Sequence, residues 1–202
     1  MPAVAAPRPA ARARRGHTLV ELVLVLTIGM ILTAVVTPRI NRSAYDADAA
    51  ARVVRGALQT AQRVAVAQQA DVVVGFDLPN HRLRVLEDLN GNGQLDSGAL
   101  LRERVTWRPL DDGARFAAPP ARVGGGAAPA TALASVAKVA DGLPSVTFHR
   151  DGAASDNGEV YLRAVRGGVT EWRAVVIARA TGRVEWWARG GSAGTAWARR
   201  GL

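Results

Sequence analysis

The chain has 202 residues, 49% of them hydrophobic, with 26 Lys+Arg against 17 Asp+Glu, a formal net charge of +9 and no cysteine. That suits one moderate domain, alone or with an appended segment, and is apolar enough to exclude wholesale disorder. The missing cysteines exclude a disulfide scaffold, thiol catalysis and Cys-ligated zinc. With only His17, His81 and His149, far apart in sequence, an ordinary hydrolase or metalloenzyme is not the expected class.

Residues 1–16 carry Arg8, Arg12, Arg14 and Arg15 and no acid, and an apolar run follows from Leu19 to Val36, interrupted by Glu21. A helix over residues 18–37 would be roughly 30 Å long, about the thickness of a bilayer core. The arginines immediately before it are expected to stay cytoplasmic, with the remainder of the chain outside. Without those four arginines the formal charge falls to about +5, so part of the basic balance belongs to targeting. Three maturation readings compete. A secretory signal peptide would have a shorter apolar stretch and a better site than Val35-Val36-Thr37-Pro38. Twin-arginine export would use Arg14-Arg15 but does not expect Glu21. The third reading cuts between Gly16 and His17 and leaves the apolar helix on the mature chain.

Arg14-Arg15-Gly16-His17-Thr18-Leu19-Val20-Glu21-Leu22 resembles the class III signal of type IV pilins and pseudopilins. The resemblance implies cleavage after Gly16 by a prepilin peptidase and methylation of His17, where the family prefers Phe. It also implies a filament-assembly role for Glu21 at the fifth mature position and a helix kink at Pro38. A carboxylate in hydrocarbon costs about 2.5–3.5 kcal/mol or more on insertion scales, so Glu21 needs a partner. A neighbouring subunit's free amine would supply one in a filament; alternatively Glu21 snorkels into the cytoplasmic interface.

From Ala44 to Gln68 apolar residues recur at three- and four-residue steps (Ala50, Val53, Val54, Ala57, Leu58, Ala61, Val64, Ala65), with Arg52, Arg55, Gln59, Gln62 and Arg63 on the other side. Asp46 and Asp48 suit a helix start. The expectation is one long kinked helix over 17–70, transmembrane over 18–37 and amphipathic over 44–70. A membrane anchor followed by an unrelated amphipathic helix fits the periodicity equally.

After Asp71 the pattern changes to strands. Residues 72–76, 82–86 and 101–107 form one set, and residues 145–149, 159–164, 171–177 and 183–187 a second, with turn residues between them. Residues 117–144, rich in Ala, Gly and Pro, read as a long surface-loop insert. The fold class expected is α+β and type IV pilin-like, with a long N-terminal helix packed on a small antiparallel two-sheet β-domain over 71–187. Residues 188–202 are expected to form a basic flexible tail. Phe148-His149-Arg150-Asp151-Gly152, Gly158–Leu162, Val175–Ile177 and Thr181-Gly182-Arg183-Val184 are similar to the C-terminal half of the GspH/FimT branch. That branch comprises H-type minor pseudopilins of type II secretion and related minor type IV pilins.

Two local patterns offer other chemistry. Residues 88–96 match the first nine positions of an EF-hand-like loop, but position twelve is Ala99 where a Glu is needed and Glu103 comes four residues late. A hairpin tip is the simpler account, with a weak calcium site as the alternative. Arg183, Arg189, Arg199 and Arg200 interleave with Trp186, Trp187 and Trp197, a candidate nucleic-acid surface. The acid Glu185 stands where a second cation of the DNA-uptake members' Gly-Arg-x-Arg pattern would be, so an edge strand with inward Trp is the preferred reading. No Ser/His/Asp order, phosphate-cradling loop or zinc spacing is present, so no catalytic residue, metal or cofactor is expected. The function expected is that of a minor pseudopilin in a type II secretion or pilus-like filament, anchored in the inner membrane with its C-terminal domain periplasmic. Its partners would be prepilin peptidase, other pilins or pseudopilins and secreted cargo. The alternatives are a DNA-binding minor pilin and a tethered calcium-binding module.

Overall fold

The computed structural model describes residues 18–36, 42–96, 103–110, 113–190 and 194–200. The chain divides into two compact units, Met1–Asn41 and Arg42–Leu202. The first contains α1 (Leu19–Val36). Gly16, His17 and Pro38, the expected cleavage and kink positions, lie outside the described residues.

In the second unit α2 (Arg42–Gln68) buries Ala47, Ala50, Ala51, Val54, Ala57, Leu58, Ala61 and Ala65. A face built mainly of alanine lets the helix backbone approach the sheets closely, while Val54 and Leu58 supply most of its buried apolar volume. The helix ends in a Schellman arrangement, in which Ala70 N donates to Ala65 O at 3.3 Å and Gln69 takes φ 54°. It begins at Arg42, earlier than the sequence suggests. Asp46 and Asp48 are not its caps; they reach across to Arg166 and Arg173.

Among the described residues eleven strands form two antiparallel sheets, the α+β two-sheet class expected. The first has the order β3 (Arg104–Pro109), β2 (Arg82–Asp88), β1 (Asp71–Asp77), β7 (Leu143–Phe148), β6 (Val139–Ala140). The second runs β11 (Ala198–Arg199), β10 (Val184–Gly190), β9 (Val169–Ile177), β8 (Glu159–Arg166), β4 (Ala114–Phe116), and β5 (Leu133–Ala134) also pairs with β8. Alternation sets the faces. Val72, Val74 and Phe76 of β1, Leu83 of β2, Val146 and Phe148 of β7, Val160 and Leu162 of β8 and Val175 and Ile177 of β9 join α2 in one core. Val73 and Leu86, on the other face of the first sheet, are covered by Ala140.

Two segments differ from the sequence expectation. The 117–144 stretch is more than a surface loop, because β5 and β6 pair with the sheets and Ala132 and Ala140 are buried. Arg122 fixes it by donating to Glu159 from both Nε and Nη2, and Tyr161 donates its hydroxyl proton to the same carboxylate. The tail also returns to the sheet. Trp197 donates from Nε1 to Ala121 O at 2.9 Å, its ring centroid lies 5.7 Å from that of Tyr161, and Arg199 pairs in register with Trp187.

Candidate functional site

Thr18 caps α1. Its Oγ1 accepts a hydrogen bond from Glu21 N at 3.2 Å, and its carbonyl accepts one from Leu22 N. The Thr18–Glu21 spacing is that of a capping box, which places Glu21 at the third helical position. A carboxylate there faces the positive end of the helix dipole, a favourable term of about 0.3–1 kcal/mol. Glu21 therefore has a local electrostatic reason to sit in this turn, in addition to the filament pairing the resemblance implies. The S/T-x-x-E signature would have revealed Thr18 as a cap from sequence alone.

Beyond that turn α1 is apolar on every side. Its large side chains from Leu19 to Leu32 are 49–80% exposed, and Thr27 Oγ1 donates back to Val23 O and Leu24 O. A helix apolar all round requires either lipid or a bundle of like helices. The 18 described helical residues span about 27 Å, slightly less than a hydrocarbon core. Among the described residues no helix is long and apolar enough to cross a membrane.

The candidate basic surface is only partly assembled. Arg183, Arg199 and Arg200 line one groove of about 290 Å³ with Arg55, Val184, Glu185 and Trp186. Arg189 is not among the lining residues. Glu185 Oε1 accepts from Arg183 Nη2 at 2.9 Å and from Arg199 Nη2 at 2.7 Å. The acid that departs from the two-cation pattern thus neutralises part of the cluster from within. Arg55, contributed by α2, was not apparent from sequence because it lies 128 residues before Arg183 and only the packing of α2 on the second sheet brings them together.

Residues 88–96 close on themselves. The Asp88 carboxylate accepts from Gly91 N, Asn92 N and Gly93 N, and Asp96 Oδ2 accepts from Asn90 Nδ2 and Asn92 Nδ2. Glu103 is buried and accepts from Leu89 N and Asp96 N. These are the bonds of a tight hairpin tip whose carboxylates hold backbone amides. Among the described residues no group of three metal-ligating acidic or histidine side chains converges.

His149 Nδ1 lies 3.0 Å from Asp71 Oδ2, a pair that sequence spacing did not show. His81 is pushed below the usual imidazole range by burial and then by the Arg115 charge, and its Nδ1 is shielded with no hydrogen-bond partner among the described residues. Burial would raise the Asp77 carboxyl, but hydrogen bonds from Arg82 and Asn80 outweigh it and hold it below the usual carboxylate range. Burial and the bond to Glu159 push the Tyr161 phenol well above its ordinary value.

An N-capped apolar helix, followed by an amphipathic helix laid on two small antiparallel sheets, defines a filament subunit of the type IV pilin kind. Residues 11–37 match the prokaryotic N-terminal methylation motif, which implies processing by a prepilin peptidase and anchoring in the inner membrane. Residues 50–182 match the family described as type II transport protein GspH. The chain belongs to that family and is a minor pseudopilin of type II secretion, a structural subunit that assembles with other pseudopilins. The minor pseudopilin EpsH from the type 2 secretion system of Vibrio cholerae aligns with 14% identity and a TM-score of 0.44, over 69% of this chain and 94% of that one. No curated protein matches the chain significantly.

Proposed function

We propose that the precursor is cut between Gly16 and His17, that His17 becomes the methylated N-terminus, and that α1 then holds the subunit in the inner membrane. In this reading the arginines before Gly16 remain cytoplasmic until cleavage and the unit from Arg42 onward is periplasmic. The twelve Leu, Ile and Val residues of α1 favour insertion by about 4–7 kcal/mol on insertion scales, which outweighs about 3 kcal/mol for one central carboxylate. The subunit is therefore stored stably in the bilayer with Glu21 near one interface.

On extraction into the pseudopilus, α1 exchanges lipid for neighbouring helices, with little change in apolar burial. The exchange needs a polar term to define its register. Glu21 supplies it by pairing with the amine of a neighbouring subunit's first residue, so that its charge is compensated once water is excluded. The observation that carries this proposal is a Thr18-capped helix, apolar on every side, whose single charged residue lies in its first turn. The periplasmic sheets then face other minor subunits and exported cargo. Glu21→Ala should leave the protein processed and membrane-bound but absent from sheared filaments. Normal incorporation of that variant would refute the pairing.

A further inference from the structure

Buried polar groups without partners are uncommon enough in native structures that each needs an explanation. Arg55 Nε and Trp186 Nε1 are two such donors, shielded from solvent with no hydrogen-bond partner among the described residues, and both residues line the groove at the basic end of the second sheet. Arg183, Arg199 and Arg200 share that groove, and Glu185 is its one acid. Its two charge-assisted bonds go to Arg183 and Arg199. The groove therefore has two cations outside those bonds, Arg55 and Arg200, and the Arg200 backbone N–H is bonded to Trp186 O at 3.1 Å. A groove lined by four guanidiniums and one carboxylate selects an oxyanion.

We propose that this groove is a docking site for a carboxylate-bearing segment of another protein, an acidic side chain entering between Arg55, Arg200 and Trp186. Glu185 shows the chemistry in miniature, since a carboxylate of the chain itself already bridges two of the four guanidiniums. Val184 and the Trp186 ring supply an apolar wall for the methylene stem of a Glu. Size and shape favour a single carboxylate over a nucleic-acid strand. Single strands need a continuous cationic track with open aromatic faces. Here Trp186 packs against the core and Trp197 lies against Tyr161, while Arg189 lies outside the groove. Arg183 and Arg199 remain half-exposed, so the interaction is modest and screened by salt. The inference does not depend on how the N-terminus is processed.

The test uses the full chain in non-ionic detergent at low ionic strength, titrated with an N-acetylated oligoglutamate peptide and, in parallel, an oligoglutamine peptide and an oligothymidylate of equal length. Binding is read by calorimetry. The glutamate peptide should bind, and glutamine should not. Arg200→Ala and Arg55→Ala should each weaken binding about two- to fivefold, with Arg200→Lys retaining most of it. Glu185→Gln should tighten it severalfold by removing the internal competitor, a gain that a merely structural Glu185 would not give. Arg200 lies at the surface, so its variants keep the fold, which an unchanged melting temperature verifies. Absence of glutamate-peptide binding, indifference to both arginine substitutions, no gain in Glu185→Gln, or tighter binding of the oligothymidylate would each overturn the proposal.

Discussion

Gly182 lies where α2 is clamped to two loops of the second unit, and replacing it with alanine should be unusually costly. Its φ is +61°, and a Cβ there would stand 2.2 Å from Gly152 O and 2.4 Å from Gln62 Nε2. Gln62 donates from Nε2 to Gly152 O and to Thr181 O, each at 2.8 Å, so the methyl would occupy the space that these bonds define. Holding alanine in a left-handed conformation costs about 1–2 kcal/mol. Losing the two side-chain bonds adds about 0.5–1.5 kcal/mol each, which gives a total of about 2–5 kcal/mol. The unit Arg42–Leu202 contains every residue of the core cluster, so urea denaturation of that fragment is the assay, and the midpoint should fall by roughly 1–2 M. Gly142→Ala is the control, with φ +75° but nothing within 4 Å of the added methyl, and should cost only the conformational part. Gln62→Ala combined with Gly182→Ala should be less than additive, because the bonds can be lost only once. If Gly182→Ala costs no more than Gly142→Ala, the clamp is not a stabilising feature.

Three further outcomes follow from the same physics. Gln69→Gly should raise stability by about 1 kcal/mol in denaturant melts, because Gln69 occupies the left-handed position of the α2 terminus. Arg173→Met should cost about 3–5 kcal/mol, since Arg173 and Glu171 are each only 2% exposed and Arg173 also anchors Asp48 of α2; a loss below 1 kcal/mol would show the network to be dispensable. Acid should destabilise the unit in two steps. His81 is depressed when folded, so the unfolded chain binds the extra proton and stability falls as pH drops through its ordinary value of 6.5. Asp77 contributes stability above its ordinary value of 3.8 that is lost as pH falls through that value and below. Thermal melts of His81→Gln should flatten only the first step, and those of Asp77→Asn only the second.

The parts of this fold that repeat locally could be read from sequence. The three- and four-residue apolar steps of α2 and the β-branched or alternating runs of β1, β2 and β7 to β10 each depend on neighbours within a few residues. The short pairings did not show. Strands of two or three residues such as β5, β6 and β11 have no period to detect, and they are held by distant side chains: Arg122 on Glu159, Trp197 on Tyr161 and the Ala121 carbonyl. Asp46 and Asp48 resemble a helix start because acids favour first turns, yet their partners Arg166 and Arg173 lie about 120 residues away. The basic cluster was legible as composition but not as geometry. Arg189 was grouped with Arg183, Arg199 and Arg200 by proximity in sequence, whereas packing substitutes Arg55. Glu21 was apparent because a charge interrupting an apolar run needs a reason; the Thr18-x-x-Glu21 spacing is the local sign of a cap, and the Glu21 N to Thr18 Oγ1 bond realises it.

The decisive measurement is the mass of the chain recovered from membranes of cells that carry an active prepilin peptidase. A species beginning at a methylated His17 would show that α1 stays on the mature subunit, available for the bilayer and the filament. An intact Met1, or a terminus beyond Pro38, would contradict it.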